Sequence, residues 1–140
     1  MAVQLIAYLS FRDNAREVME FYRSVFGGEL SISTFAEFHA SEEVAEQDKV
    51  MHAALTTPNG LTIFASDTPN AMEYHEGSSI SLSLGGAAED EAALRGYFDK
   101  LAAQGTVVMP LELAPWGDVF GMVTDKFGTS WMVSIGTMGG

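Results

Sequence analysis

The sequence predicts an α+β fold made of two βαβββ modules, and three observations carry that prediction. Residues 3–11, VQLIAYLSF, and residues 79–86, SISLSLGG, both read as strands that lead into a helix and then into three further strand-like runs. The aromatic pair Phe21-Tyr22 of the first helix recurs as Tyr97-Phe98 in the second, about 76 positions later. The turns Pro58-Asn59-Gly60 and Lys126-Phe127-Gly128 hold matching places in the two halves. Repetition at this scale defines architecture before any short motif does. Two such sheets, brought together, are expected to enclose one concave cavity within a single domain, 1–140, with modules of about 1–68 and 78–140.

Each element follows from local chemistry. In the first helix Ala15, Val18, Met19, Tyr22, Val25 and Phe26 fall at i, i+3, i+4 spacing and form one apolar stripe. Asn14 is a candidate cap for its start, and Gly27-Gly28 a left-handed stop. Strands are expected at 29–38 and 50–57, with 61–67 closing a hairpin through Pro58-Asn59-Gly60. The segment 39–49, HASEEVAEQDK, is the one long polar insertion, and 67–78, DTPNAMEYHEGS, reads as a crossover. Leu94, Tyr97, Phe98 and Leu101 repeat the helical stripe and Gly105 stops it. Glu89, Asp90 and Glu91 sit near that helix start, where the dipole favours carboxylates. Strands at 106–113, 119–125 and 130–136 complete the second module. Both stripes are core by this reading rather than cofactor boxes.

Composition bounds the function. With 140 residues, 47% of them hydrophobic, the chain can bury a substantial core, and no apolar run approaches a membrane span. The N-terminus MAVQLIAYLSFRDNAR lacks a signal-peptide pattern. No cysteine is present, which excludes disulfides, thiolate catalysis and Cys-ligated metals and fits a cytoplasmic protein. A net charge of −12, from seven basic and nineteen acidic residues, argues against nucleic acid and against an anionic membrane surface. The same charge serves solubility, and it attracts a cationic ligand.

Several segments resemble one known family. Tyr8-Leu9-Ser10-Phe11 with Asn14-Ala15, the run Glu20-Phe21-Tyr22-Arg23-Ser24-Val25-Phe26-Gly27-Gly28-Glu29-Leu30, and Met51-His52-Ala53-Ala54-Leu55 are similar to the PhnB-like branch of the vicinal oxygen chelate superfamily. So are Phe64-Ala65-Ser66-Asp67, Pro115-Trp116-Gly117-Asp118 and Thr124-Asp125-Lys126-Phe127-Gly128-Thr129-Ser130-Trp131. That superfamily holds glyoxalase I, extradiol dioxygenases and bleomycin-resistance proteins on one fold, so membership alone does not fix chemistry. The resemblance implies a cavity and a homodimer, with module pairing either within a chain or exchanged between chains. Some relatives carry a ubiquinone methyltransferase label, but no glycine-rich nucleotide loop stands in this sequence to support S-adenosylmethionine binding.

Metal-dependent members place four His or Glu ligands on inward strand faces. The resemblance maps those positions onto Ala7, Ala54, Ser79 and Met132, none of which suits Zn²⁺, Ni²⁺, Mn²⁺ or Fe²⁺. No metal and no other cofactor is therefore expected. If Ala54 faces inward, alternation turns His52 inward as well and sends Met51, Ala53 and Leu55 toward the helix. If Ser79 faces inward, so do Ser81 and Ser83, while Ile80, Leu82 and Leu84 face the core. On this reading the serines make either a ladder of hydroxyls able to orient a polar ligand or, equally, a plain solvent-facing sheet surface.

His52 is the best single candidate for chemistry, because an imidazole titrates near neutral pH and can act as a general base. A lone histidine is also common as a structural residue. His39 and His75 lie in polar segments and rank lower. Trp116, Asp118 and Phe120 put aromatic walls and a carboxylate near the expected groove, and Asp67 and Asp118 are placed near its rims. The sequence supports first a small-molecule-binding protein, of the kind that sequesters a cationic aromatic compound. It also leaves open a metal-independent enzyme using His52, and less readily a metal-dependent enzyme with displaced ligands such as His52 with Glu37 or Asp67. The partners expected are a small molecule and a second copy of the chain, with no nucleic acid and no membrane.

Overall fold

A computed structural model describes residues 6–37, 47–58, 60–68 and 80–136. The chain divides into two compact units, Met1–Glu76 and Gly77–Gly140. In the first unit, β1 (Ala7–Phe11) is followed by α1 (Ala15–Phe26), β2 (Glu29–Thr34), β3 (Val50–Thr56) and β4 (Thr62–Asp67). They form a four-stranded sheet in the order β1-β4-β3-β2, with β1 parallel to β4 and the other neighbours antiparallel. The second unit repeats the plan. Its elements are β5 (Leu82–Gly86), a 3₁₀ turn (Ala88–Asp90), α2 (Glu91–Ala102), β6 (Thr106–Leu113), β7 (Val119–Thr124) and β8 (Ser130–Ile135). Their sheet runs β5-β8-β7-β6, again with one parallel pair, β5 with β8. The α+β class and the two βαβββ modules are therefore as the repeat predicted.

The stripe on α1 is the seal of the first unit. Ala15, Val18, Met19, Tyr22, Val25 and Phe26 are all buried, and α1 lies against β2, β3 and β4. From the sheet, Phe11, Ala53, Leu55, Ile63 and Ala65 meet it. Burying a side chain of this size contributes ~1.5–3 kcal/mol. In the second unit Leu94, Phe98 and Leu101 of α2 cover Leu84, Val119, Val123, Trp131, Val133 and Ile135.

The start of α1 departs from expectation. Asn14 occupies the cap position but its side chain makes no capping hydrogen bond. A buried carboxylate from the far end of β4 does that work: Asp67 Oδ1 accepts from the Ala15 N–H at 2.9 Å and Oδ2 from the Val50 N–H at 2.9 Å. Asp67 thus ties three chain segments together in the packed interior. Both helices leave through glycines wedged against the sheet. At Gly28, with φ +96°, an added Cβ would collide with the Thr56 carbonyl and stand 2.8 Å from Thr57 Cα. At Gly105 it would collide with the Thr124 carbonyl oxygen.

The two hairpin turns match bond for bond. Thr57 N–H donates to Leu61 O and Gly60 N–H to Thr57 O; Asp125 N–H donates to Thr129 O and Gly128 N–H to Asp125 O. At the first residue of each turn a side-chain oxygen accepts from the turn backbone. Thr57 Oγ1 takes the Leu61 N–H. Asp125 Oδ1 takes the Phe127 and Thr129 N–H groups, and its Oδ2 accepts from Trp131 Nε1 at 2.9 Å.

Two strands are shorter than the sequence suggests. β2 stops at Thr34, where the register with β3 shifts beside Ser33, and the chain turns over Thr34 Oγ1, which accepts from the Glu37 N–H at 3.2 Å. β5 begins only at Leu82, so Ile80 precedes the sheet and is 76% exposed instead of facing the core. His39, His75 and Ser79, with most of the acidic segment and the crossover, lie outside the described residues.

Candidate functional site

Because strand side chains alternate, each sheet has one face under its helix and one free of it. In the first unit the helix face is read from the buried residues Phe11, Ala53, Leu55, Ile63 and Ala65. Residues of the other parity make up the helix-free face. In register these are Tyr8 beside Phe64, Phe64 beside Ala54, Ala54 beside Ser31, and His52 beside Ser33.

His52 is on that face, as alternation from Ala54 required, but it is not alone. The Tyr8 hydroxyl lies 3.2 Å from His52 Nδ1, within hydrogen-bond distance. Phe64 stands edge-on to both rings, at 6.0 Å and 84° from Tyr8 and at 5.0 Å and 67° from His52. Tyr8 and His52 are 5.8 Å apart and tilted by 47°. Tyr8 is 51% exposed and His52 and Phe64 are half-buried. The patch therefore joins three aromatic rings, one hydroxyl and one imidazole, with serines around it.

Tyr8 and Phe64 were not among the candidates. The resemblance set Ala7 on the inward face, but Ala7 pairs with buried Ile63, and Tyr8 takes the helix-free side. A slip of one residue along β1 separates the two assignments. The run Ile6-Ala7-Tyr8-Leu9 is apolar throughout, so local patterning did not separate the two parities.

In the second unit Ser83 pairs with Met132 on the helix-free face, and Ser81 lies just before β5; both serines are exposed. Phe120, on β7, pairs with Ser134 and shares that face. Trp116, in the turn before β7, is 63% exposed and meets Phe120 edge-on at 5.5 Å. Asp118 closes that turn through its backbone, its carbonyl accepting from Ala114 N–H at 2.7 Å.

The superfamily metal does not fit these residues. Ala54 and Met132 lie on helix-free faces yet offer neither imidazole nor carboxylate, and Ala7 points to the helix side. Displaced ligands fare no better. Asp67 is buried on the helix side, opposite to His52, with both oxygens held by backbone N–H groups. Glu37 Oε1 accepts from Thr34 Oγ1 at 3.3 Å. Among the described residues no three His, Cys, Asp or Glu side chains come together as a metal centre. Nor is any helix among them long and apolar enough to cross a membrane.

With this geometry in hand, the comparison with known proteins decides the family. The chain matches the family described as 3-demethylubiquinone-9 3-methyltransferase over residues 3–134. It belongs to that PhnB-like family. Protein PA1353 from Pseudomonas aeruginosa is 36% identical and superposes with a TM-score of 0.78, covering 96% of this chain and 98% of that one. A putative 3-demethylubiquinone-9 3-methyltransferase, PhnB protein, from Bacillus cereus is 28% identical with a TM-score of 0.72, over 95% of this chain and 99% of its own. A glyoxylase/bleomycin resistance protein/dioxygenase domain from Frankia sp. EAN1pec shares the fold at 14% identity, with a TM-score of 0.67 over 100% and 96% of the two chains. PhnB-like membership thus comes with the glyoxalase-superfamily fold.

Proposed function

We propose that this PhnB-like chain is a small-molecule-binding protein that works without the superfamily metal and takes up a planar aromatic cation. The observation that carries this reading is the Tyr8–His52–Phe64 patch on the helix-free face. Aromatic faces attract cations by ~0.5–2 kcal/mol per contact. The net charge of −12 adds a field that speeds the encounter. The second unit, taken by itself, offers Trp116 with Phe120 for stacking, the exposed hydroxyls of Ser81 and Ser83, and the Asp118 carboxylate to the same class of ligand. The family description names methyl transfer, but the sequence has no glycine-rich loop to cradle a nucleotide, so that activity is not carried over. A thermal-shift screen tests the reading. Cationic aromatic compounds should stabilise the protein, less so as salt rises. Stabilisation only by anionic or neutral compounds would refute it.

A second reading has its own observation. The Tyr8–His52 hydrogen bond orients an imidazole, as metal-independent acid–base catalysis requires. Turnover of a substrate that is lost in His52→Gln while binding persists would establish the enzyme.

We also infer a homodimer. The edge strand β6 exposes Val107, Val108, Met109 and Leu113, and apolar edges of this kind are ordinarily covered. Light scattering at micromolar concentration should give twice the chain mass, and a strict monomer would exclude it.

A further inference from the structure

Resting on the reading of Tyr8, His52 and Phe64 as a ligand patch, we propose that Tyr8 is a positioning residue. It holds neutral His52 with its proton on Nε2, so the ligand must bring a hydrogen-bond acceptor to that nitrogen. The hydroxyl oxygen and Nδ1 are 3.2 Å apart, so one of them donates. A phenol O–H is a stronger hydrogen-bond donor than a neutral imidazole N–H, and an imidazole nitrogen accepts better than a phenol oxygen. The favoured arrangement is O–H···Nδ1. An Nδ1 that accepts carries no proton, and the single proton of the neutral ring then sits on Nε2.

The neighbours leave that outcome undisturbed. The strand residues in register around the pair on this face are Ser10 on β1, Phe64 and Ser66 on β4, Ala54 on β3 and Ser33 on β2, none of them charged; the cation of the same parity, half-buried Arg12, follows β1. Nε2 has no hydrogen-bond partner among the described residues. A ring in this state cannot take a proton at Nε2, so toward a ligand it acts as a donor. The ligand class narrows accordingly, from any planar aromatic cation to one with a carbonyl or carboxamide oxygen on its rim.

Two measurements on the full chain test this. Imidazole ¹⁵N resonances of the ligand-free protein at pH 8 should show His52 Nδ1 unprotonated and Nε2 protonated, and Tyr8→Phe should give a mixture of the two forms. An Nδ1-protonated ring in the unaltered protein, or resonances unchanged in Tyr8→Phe, would overturn the role of Tyr8. The second measurement titrates two permanent cations, 1-methylquinolinium and 3-carbamoyl-1-methylquinolinium. The carbamoyl compound should bind about tenfold more tightly, the scale of one hydrogen bond. That advantage should vanish in His52→Phe and shrink in Tyr8→Phe. Equal affinity for both compounds overturns the ligand class while the binding reading stands. Failure of both to bind overturns the ligand patch itself, and the resonances still decide the tautomer.

Discussion

Asp67 shows how one residue can be read for the wrong chemistry. A carboxylate beside a strand end suggests a cavity rim or a metal ligand, yet its two oxygens are committed to the Ala15 and Val50 N–H groups in the buried layer. Hydrogen bonds to a charged acceptor contribute ~1.5–3 kcal/mol each, and a buried N–H left without a partner costs about as much. Asp67→Ala should therefore lower unfolding free energy by roughly 2–4 kcal/mol in a denaturant titration. It should leave ligand affinity in the folded fraction unchanged, since Asp67 and His52 lie on opposite sheet faces. Gly28 makes a second residue-scale prediction. Its left-handed backbone and its contact with Thr56 and Thr57 leave no room for a methyl group, so Gly28→Ala should cost ~2 kcal/mol or more, seen as a lowered denaturation midpoint.

Among the elements, α1 shows the closest agreement between pattern and packing. All six residues of its apolar stripe are buried, because a helix lying on a sheet hides one face and the spacing of that face is set by helical geometry. Met19 lies fully buried in the middle of the stripe. Met19→Ala should destabilise the protein by ~2–5 kcal/mol through lost burial and a residual cavity, measured by chemical denaturation. The strands were less legible at their ends. Thr34 and Leu82 bound β2 and β5 because partner register decides where a ladder stops, and the residues just outside are as strand-like as those within. Residues 80 and 81 illustrate this: nothing in Ile80 announces that pairing has not begun.

For the whole molecule, charge is the property with the widest consequence. An excess of twelve negative charges acts over distances comparable with the screening length, which is ~10 Å at 0.1 M salt. Association of 1-methylquinolinium should accordingly slow several-fold between 20 mM and 500 mM salt in stopped-flow fluorescence, with a smaller change in dissociation. An association rate independent of salt would remove the field from the account of binding, and leave the aromatic contacts to carry it.

The sequence by itself determined the duplication, both helices with their buried stripes, the two matched hairpin turns, and the net charge. These are local or additive properties: helical periodicity, turn chemistry and summed charge are written within a few neighbouring residues or in composition. Only the tertiary structure decided which face Tyr8 takes, that Phe64 and Tyr8 surround His52, and that Asp67 is a structural clasp. Each of these depends on pairing between strands far apart in the chain, β1 with β4 and β4 with β3. In such pairing a displacement of a single residue moves a side chain to the opposite face of the sheet. The local pattern around Ala7 and Tyr8 is nearly uniform in hydrophobicity, so it left that choice to the register.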